Sequence, residues 1–261
     1  MPELPEVETC RRALAPLLVG RTLTAAEAIW PRAAATPLEV AGRRIVRLDR
    51  RGKFLLLRLD RGWLVVHLRM TGRLVVAREP PARTTAAFRL DSGDWFCLVD
   101  MRKFGRAWQV ARASEVVGHL GPEPLSRTFT AARFEAMLAP RRARLKPLLL
   151  NQRFLAGLGN IYVDESLHAA RIHPLRTADS LSAGEVRRLH RRVRTILRAA
   201  ITAGGTTIQN FAGPDGTPGR FRSQLRVFRR GGEPCYHCGT TIERSVVAQR
   251  GTHSCPGCQR L

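Results

Sequence analysis

The sequence has few acidic residues and lacks any long apolar run. Its 261 residues include 21 Asp and Glu against 44 Lys and Arg, a formal net charge of +23 at pH 7. No apolar stretch approaches the roughly 20 residues of a membrane-spanning helix, so a membrane protein is not expected. Such an excess of positive charge attracts polyanions, and we expect nucleic acid as the partner. A ribosomal or a membrane-surface protein would share this composition.

Cysteine is also scarce, with six residues in the whole chain. The first residues are acidic and lack the basic and then apolar pattern of a signal peptide, so we expect a cytoplasmic protein. Cysteines in that compartment rarely form disulfides and more often bind metal or fill space. Cys10 and Cys97 are isolated in the sequence, and we expect ordinary buried thiols there.

The first half of the chain combines one helix with many strands. Residues 5–18 have helical apolar spacing with Gly20 just past the end, and Pro16 is expected to kink or shorten this helix. Short β-rich runs with no helices between them then predict an antiparallel sandwich. These runs are RRIVRL, KFLLLRL, WLVVHLRM, AAFRL, WFCLV and RAWQV, between residues 43 and 110.

The second half is predicted to be helical. Residues 121–124, Gly-Pro-Glu-Pro, read as a linker. Ser182 and Glu185 form the pattern of a capping box before a helix that ends at Gly204-Gly205. One face of this helix is basic and carries Arg187, Arg188, Arg191, Arg192 and Arg194. This face is either solvated or in contact with phosphates. The fold class is therefore α+β, and the length allows two domains.

The last thirty residues form a separate module with two Cys-x-x-Cys pairs. Sixteen residues separate the pairs, whose members are Cys235, Cys238, Cys255 and Cys258. Two such knuckles supply the tetrahedral four-sulfur site that zinc prefers, so we predict one structural zinc on a β-hairpin. Four thiolates suffice, and neither His237 nor His253 is expected to be a ligand. Arg250, near the hairpin turn, is either one surface arginine among many or a phosphate clamp on a metal-stiffened tip.

The start of the chain, MPELPEVET, places Pro2 directly after Met1. This stretch is either a disordered leader or a segment whose ring nitrogen is needed for chemistry once Met1 is removed. An α-amino group has a pKa near 8, and with the help of a general base it is an adequate nucleophile at neutral pH.

The chain resembles bacterial formamidopyrimidine-DNA glycosylases over its whole length. The shared motifs are PELPEVET, the GK-led strand at 52–56, HLxMTG at 67–72, DxRKFG at 100–105, GLGNIYxDExL at 157–167, GGTTxxxF at 204–211 and the terminal zinc finger. The resemblance implies two domains with DNA in the cleft between them, and a monomer. We expect a catalytic β-sandwich domain over 1–125, a helix-two-turn-helix domain over 126–230 and the zinc finger over 231–261.

The resemblance also implies the catalytic residues. Pro2, with Met1 removed, is the nucleophile, and Glu3 exchanges a proton with the sugar ring oxygen or the amine. Glu6 and Glu8 compete for this role from sequence alone, or else they stabilise the positive end of the first helix. Lys53 matches a lysine of the catalytic site that binds the phosphate beside the lesion.

Further DNA contacts follow from the same comparison of motifs. His67, Asn160 and Arg250 match phosphate binders, although the residues alone make His67 a core histidine. Met70, Arg102 and Phe104 match residues that fill the space left by a flipped nucleotide, whereas Met70 and Phe104 by themselves could be core.

Arg220 lies in a lesion-recognition loop at 212–221, where some relatives carry tyrosine. Arg69, where glycine is usual, and Met101 also depart from the family pattern.

The predicted activity is that of a bifunctional DNA glycosylase and AP lyase. It excises oxidised purines, 8-oxoguanine and formamidopyrimidines, from double-stranded DNA, acts on abasic sites and carries one structural zinc. The first alternative is an enzyme that resembles endonuclease VIII and prefers oxidised pyrimidines. The second is a non-catalytic, zinc-stabilised DNA-binding protein that retained the fold.

Overall fold

The computed structural model describes residues 1–207, 213–214 and 216–261. The chain forms two compact units, residues 1–119 with 201–222 and residues 120–200 with 223–261. In this described part of the chain, no helix is long and apolar enough to cross a membrane. The domain boundaries at residues 125 and 230 stay a prediction.

The first unit begins with helix α1, Leu4–Leu18. Its buried face follows helical spacing, with Val7, Cys10, Leu14 and Leu18 packed into the core of the unit. Pro16 lies in the last turn and the helix still extends to Leu18, so Pro16 does not shorten the helix. The other expectation, that Pro16 kinks the helix, stays a prediction. A proline near the end of a helix removes one hydrogen bond, and the packing of Leu14 and Leu18 holds the last turn in place.

Eight antiparallel strands follow helix α1. Their order in the sheet is β5-β7-β6-β1-β2-β3-β4-β8, and every neighbouring pair is antiparallel. The six predicted runs are all strands, and two more were not predicted. The bounds are β1 Thr22–Glu27, β2 Arg43–Arg51, β3 Phe54–Leu59, β4 Trp63–His67, β5 Arg73–Ala77, β6 Thr84–Leu90, β7 Trp95–Val99 and β8 Arg106–Val110.

The sheet has two halves, β5-β7-β6-β1 and β2-β3-β4-β8, and only a short pairing joins them. The halves can therefore fold against each other as a sandwich. Strands β1 and β2 pair through two residue pairs, Thr22 with Arg44 and Leu23 with Arg43. The apolar faces of the halves share one core, in which Phe88 and Phe96 stack with ring centroids 5.7 Å apart. The predicted antiparallel sandwich is confirmed.

The second unit contains short helices and one long helix. The capping box that begins the long helix is present, since Ser182 N–H donates to Glu185 Oε2 (2.9 Å) and Glu185 N–H donates to Ser182 Oγ (3.3 Å). Helix α2, Ser114–Val117, follows the sandwich and still belongs to the first unit. The bounds of the later helices are α3 Ala131–Leu138, α4 Leu145–Leu150, α5 Asn160–Ala170 and α6 Ala183–Thr202. The predicted long helix is α6.

The basic face of α6 is not uniform. Arg188 Nε donates to the carbonyl of Ala170 (2.7 Å), and Arg194 Nη1 donates to the carbonyls of Pro124 and Ser126. These two guanidinium groups therefore stabilise the packing of the second unit. The exposed members of the set are Arg187, Arg191 and Arg192.

The module at the end of the chain contains a β-hairpin, as predicted. Strands β9, Glu243–Val247, and β10, Arg250–Ser254, pair antiparallel. Ala248 and Gln249 connect them, and both have positive φ, +47° and +60°. Two such residues in succession form the tight turn whose twist matches that of the strands. Arg250 is the first residue after this turn.

The predicted linker at 121–124 is packed into the second unit. Gly121 N–H donates to the carbonyl of Gln152 (2.9 Å), and the Pro122 carbonyl accepts from Ala156 N–H (3.1 Å). A Cβ atom on Gly121 would lie 2.5 Å from the carbonyl oxygens of Arg153 and Phe154. Glycine is required here because two backbone segments approach each other closely.

Replacement of Gly121 by alanine should therefore destabilise the protein. We expect G121A to lower the free energy of unfolding by about 2 kcal/mol or more, because backbone oxygens cannot move away as a side chain would. Urea denaturation measures this difference. The matched control is G184A in the first turn of α6, where the nearest atom is 3.9 Å away, and where alanine should stabilise by up to about 1 kcal/mol. Equal effects of the two substitutions would contradict the packing described here.

Candidate functional site

The first turn of α1 is buried and held by a carboxylate. Pro2 and Glu3 are both buried, and Glu3 N–H donates to Glu6 Oε2 at 2.8 Å. The other carboxylate oxygen, Glu6 Oε1, accepts from Thr206 N–H at 2.7 Å. Glu6 thus joins the start of the chain to the segment that follows α6. This bonding excludes a disordered leader and favours a structural role for Glu6.

Glu8 has a different set of partners. It accepts hydrogen bonds from Arg11 and Arg12 on its own helix and from Arg50 on β2. Burial by itself raises the pKa of Glu8, but the hydrogen bonds from Arg11 and Arg12 outweigh it and hold that pKa below its ordinary value. A carboxylate that stays ionised and bound to arginines is a poor proton donor, so Glu8 is not a candidate acid.

The Arg50 side chain extends this network to Lys53. Its Nη1 donates to the carbonyl of Gly52 at 2.9 Å, within the turn between β2 and β3. Gly52 has a φ of +55°, which a glycine adopts without strain. Lys53 follows in this turn and is 5% exposed. The chain of contacts from Glu8 through Arg50 therefore positions the backbone that carries Lys53.

His67, at the end of β4, is a buried and neutral histidine. Its Nδ1 accepts from Arg69 N–H at 3.0 Å, and its ring packs edge-on against Phe54 at 4.4 Å. Burial, with the positive charges of Arg69 and Lys53, lowers the pKa of His67 to about 3. Because Nδ1 is an acceptor, the ring proton lies on Nε2. A neutral Nε2–H can donate to a phosphate oxygen, while Lys53 supplies the positive charge.

Met70, Arg102 and Phe104 form an exposed cluster, which we call the exposed trio. Met70 is 44% and Phe104 43% exposed. Arg102 Nη1 lies 3.4 Å from Met70 Sδ, and the Arg102 guanidinium lies 4.8 Å from the Phe104 ring centroid. The interpretation of Met70 and Phe104 as core residues is therefore wrong. Large apolar side chains held together at the surface are typical of a binding site.

One buried carboxylate holds both loops that carry the exposed trio. Asp100 accepts from Thr71 Oγ1, in the Met70 loop, and from the backbone N–H groups of Arg102 (3.0 Å), Phe104 (2.8 Å) and Gly105 (2.7 Å). Asp100 is only 1% exposed. Sequence analysis did not single out Asp100, although a lone Asp directly after an apolar strand is a signal for such a role.

The two loops also contain left-handed residues that are not glycine. Arg69 has a φ of +54° and Lys103 of +58°. Each costs roughly 1–2 kcal/mol relative to right-handed helical or extended backbone. The left-handed turn at Arg69 aims its N–H at His67 Nδ1. The departure at Arg69 thus retains the backbone shape for which glycine is the usual residue.

Arg220 lies where the predicted lesion loop returns to the first unit. Its N–H donates to the carbonyl of Ala203 (2.9 Å), and it forms an antiparallel bridge with Thr206. Gly219 N–H donates to Thr207 Oγ1 at 2.8 Å. These contacts close the base of the loop. The loop residues 212 and 215, and positions 208–211 of the GGTTxxxF motif, lie outside the described residues.

In the second unit, Asn160 bonds to Gly251, the residue that follows Arg250. Asn160 begins α5, and its Nδ2 donates to the carbonyl of Gly251 at 2.8 Å. Lys146 Nζ donates to the same carbonyl at 3.0 Å and to Asp164 Oδ1 at 2.6 Å. Two donors therefore fix the carbonyl of Gly251, the residue after Arg250, against α4 and the start of α5. Sequence analysis missed Lys146, whose signal is a single lysine within the apolar run LKPLLL.

Two adjacent carboxylates of α5 hold the zinc module. Asp164 Oδ2 accepts from His253 N–H on β10 at 3.0 Å. Glu165 accepts from three successive backbone N–H groups, those of Arg226, Val227 and Phe228, at 2.9–3.0 Å. The motif GLGNIYxDExL contains both carboxylates but does not by itself predict this role. Asp164 thus holds strand β10 of the module against α5. Glu165 holds the segment that leads into the module, residues 226–228, against the same helix.

The four cysteines of the module converge as predicted. The sulfur atoms of Cys235, Cys238, Cys255 and Cys258 all lie within 4.8 Å of one another, with close pairs at 3.4–3.9 Å. Tetrahedral zinc with bonds of about 2.3 Å requires sulfur separations of about 3.8 Å, so the donors fit one zinc ion. His237 instead lies 2.8 Å from Arg171, and His253 lies against Asp164. Four thiolates leave no open position, so the zinc is structural.

The two remaining cysteines are buried thiols, as expected. Cys10 and Cys97 form no disulfide and are each no more than 1% exposed. Burial raises the pKa of Cys97 to about 11, which keeps that thiol protonated.

Comparisons with known proteins agree with this architecture. Sequence profiles match in chain order: formamidopyrimidine-DNA glycosylase N-terminal domain (residues 1–107), formamidopyrimidine-DNA glycosylase H2TH domain (120–212) and the zinc finger found in FPG and IleRS (232–261). The formamidopyrimidine-DNA glycosylase of Heliobacterium modesticaldum is 48% identical over 277 residues, and the match covers all of both chains.

Solved structures show the same fold. The MutM (Fpg) protein of Thermus thermophilus is 46% identical, covers 99% of this chain and 98% of its own, and superposes with a TM-score of 0.92. A Lactococcus lactis FPG mutant in complex with Fapy-dG containing DNA is 35% identical, covers both chains fully and has a TM-score of 0.92. These matches define the class as zinc-finger proteins with an H2TH domain. Within that class, the chain belongs to the formamidopyrimidine-DNA glycosylase family.

Loss of the Asp100 charge should loosen the exposed trio. We expect D100N to lower the free energy of unfolding by roughly 1.5–3 kcal/mol, because an amide cannot replace a buried carboxylate that accepts four hydrogen bonds. Urea denaturation measures the loss. The control is D49N, whose carboxylate pairs with exposed Arg47, and which should cost less than about 1 kcal/mol. A similar cost for both variants would show that Asp100 does not hold the loops.

Removal of one zinc ligand should release the metal. We expect the wild-type protein to contain one zinc per chain and C238S to contain much less, with a lower melting temperature, since a small module with little core depends on its metal. Metal analysis of the purified proteins measures the content. C97A removes a thiol outside the module and should keep its zinc. Full zinc occupancy in C238S would contradict the four-sulfur site.

Proposed function

We propose that this protein is a bifunctional DNA glycosylase and AP lyase that excises oxidised purines from duplex DNA. The observation that carries the proposal is the buried Pro2-Glu3 pair at the start of α1, in a chain whose relatives over its full length are named for this activity. The fold supplies the rest of the site around this pair. Its proposed bacterial location is the cytoplasm, where its DNA substrate lies.

The nucleophile is the ring nitrogen of Pro2 after Met1 has been removed. While Met1 is attached, that nitrogen is an amide with no available lone pair. The free amine attacks C1′ of the damaged nucleotide, the bond from C1′ to the base breaks, and the electron pair leaves with the base. The bound amine then gives its single N–H proton to the Glu3 carboxylate. When the sugar ring opens, O4′ takes a proton and the C1′–nitrogen bond becomes double. A secondary amine has no second proton to lose, so the adduct is a cationic iminium.

Glu3 is the proposed acid and base. It adjoins Pro2 and is 3% exposed, so it can donate a proton to O4′ within a site that excludes most water. The iminium withdraws electrons and acidifies C2′. Loss of the C2′ proton then expels the 3′ phosphate, and a second elimination expels the 5′ phosphate. Water hydrolyses the iminium and restores the Pro2 amine.

Each unit contributes its own set of phosphate binders to this proposal. In the first unit, Lys53 and His67 lie at adjoining ends of β3 and β4, where the neutral histidine donates and the lysine neutralises charge. In the second unit, Arg250 follows the hairpin turn, and Asn160 at the start of α5 bonds to the next residue, Gly251.

The exposed trio fills the space left by the flipped nucleotide. Met70 and Phe104 replace lost stacking, and Arg102, which is held between them, offers donors to the O2 and N3 atoms of the orphaned cytosine. Asp100 fixes the backbone on both sides of Arg102. The base of the lesion loop is closed by Thr206 and Arg220, so Arg220 acts through the loop backbone and can also contact DNA.

Trapping on damaged DNA tests the catalytic part of the proposal. With Met1 removed, borohydride should reduce the iminium and leave a covalent protein–DNA complex on a duplex that contains 8-oxoguanine opposite cytosine. P2G should still bind this duplex but form at least about a hundredfold less complex. E27Q is the matched control, because Glu27 is an exposed glutamate on β1 that has no part in the proposed site. No trapping by the processed protein would leave the non-catalytic DNA-binding alternative.

Lesion preference tests the substrate. The exposed trio favours a purine enzyme, although one structure of the Lactococcus lactis relative holds an oxidized pyrimidine containing DNA. We expect excision of 8-oxoguanine opposite cytosine to exceed excision of thymine glycol by about tenfold or more in kcat/KM. The reverse order would support the alternative that resembles endonuclease VIII.

A further inference from the structure

A basic cavity lies in the second unit, on the side of the zinc module. Its volume is about 350 Å³, and no acidic side chain lines it. Residues from the end of α5, from α6 and from the zinc module form its wall: His168, Ala169, Arg171, Arg192, Arg226, Tyr236, His237 and Cys258. We call it the zinc-side pocket. The predicted activity assigns no role to it.

Among the described residues, no carboxylate pairs with the arginines of this pocket. None of the ion pairs between described residues involves Arg171, Arg192 or Arg226. The Arg192 side chain makes no hydrogen bond to any residue in the described ranges. Three guanidinium groups that share one cavity repel one another. The Cys258 thiolate, as a zinc ligand, offsets part of their charge, and an anion that enters the cavity would relieve the remaining repulsion.

Two of the three arginines are held in place. Arg171 ends α5 in a left-handed conformation, φ 57° and ψ 43°, where glycine is preferred, and its Nη2 lies 2.8 Å from His237 Nε2. The backbone N–H of Arg226 donates to the Glu165 carboxylate, and the Arg226 guanidinium lies 5.5 Å from the Tyr236 ring centroid. A left-handed arginine costs conformational energy, and such strain is often retained at functional sites.

The end of α5 does not oppose an anion strongly. Carbonyl groups at a helix C-terminus carry partial negative charge. Here the carbonyl of Ala170 accepts from Arg188 Nε, and those of Leu167 and His168 accept from the N–H groups of Ile172 and Arg171. These hydrogen bonds occupy the last carbonyls of the helix, so among the lining side chains the Cys258 thiolate is the negative group that faces the three guanidinium groups.

We propose that the zinc-side pocket binds a phosphate group. Planar guanidinium groups recognise phosphate oxygens with paired hydrogen bonds, and a site of this volume accommodates one phosphate with its bridging waters. The pocket lies at the opposite end of the eleven-residue helix α5 from Asn160, roughly 16 Å along the axis. It is therefore separate from the site of Asn160 and Arg250. The phosphate comes either from the DNA backbone or from free phosphate.

Phosphate titration of the zinc-loaded full chain tests the pocket. Inorganic phosphate is added at constant ionic strength, with chloride as the balancing anion, and binding is followed by calorimetry. We expect R192Q/R226Q to bind phosphate at least tenfold more weakly than wild type. The control is R187Q, which removes an exposed arginine of α6 that does not line the pocket. Unchanged zinc content in the double variant shows that its module is intact, and unchanged phosphate affinity in that variant would overturn the proposal.

Salt dependence of DNA binding then identifies the source of the phosphate. If a DNA phosphate occupies the pocket, R192Q/R226Q lowers the slope of log K against log salt by about one more than R187Q does. If the slopes agree while phosphate titration shows weakened binding, free phosphate is the ligand. Borohydride trapping does not depend on this pocket, so failure of the pocket proposal leaves the proposed enzyme activity untouched.

Discussion

Backbone N–H groups that donate to buried carboxylates hold the candidate binding loops of this protein in place. Glu6 joins the start of α1 to Thr206, Asp100 organises the loops of the exposed trio, and Glu165 holds the approach to the zinc module. A buried carboxylate loses its hydration, and it is tolerated because several N–H groups replace the lost water. Removal of any one of these carboxylates leaves its donors without partners, so the loops that carry those donors depend on it.

This use of carboxylates explains how a chain of net charge +23 can fold and still present a basic surface. The acidic residues are few, and several of those present are used inside the protein or against neighbouring arginines. Glu8, for example, neutralises Arg11, Arg12 and Arg50 while it helps to position the turn of Lys53. The cations that remain, such as Arg187, Arg191 and Arg192, are exposed. Their mutual repulsion is relieved when a polyanion binds, which couples DNA binding to stability.

Local patterns in the sequence predicted local structure well. The capping box at Ser182, the six strand-like runs and the paired Cys-x-x-Cys knuckles each depend on residues a few positions apart, and all are present. Strand β1 was missed because TLTAAE contains alanine and glutamate, which favour strands weakly. Its strand conformation comes from the neighbouring strands β2 and β6, which pair with it. Pro16 does not shorten α1, because the packing of Leu14 and Leu18 holds the last turn in place.

The order of residues along the chain is enough to establish the fold class, the zinc ligands and, through motifs in register, the family to which the chain belongs. Only the tertiary structure determines which of several identical side chains has which role. Glu6 and Glu8 are equivalent in the sequence, yet Glu6 bonds to a residue 200 positions away and Glu8 to arginines on α1 and β2. Met70 and Phe104 could be core by composition and are exposed in the fold. The physical reason is that patterns along the chain encode contacts within a few residues, whereas burial and hydrogen-bond partners are set by segments that meet only after folding.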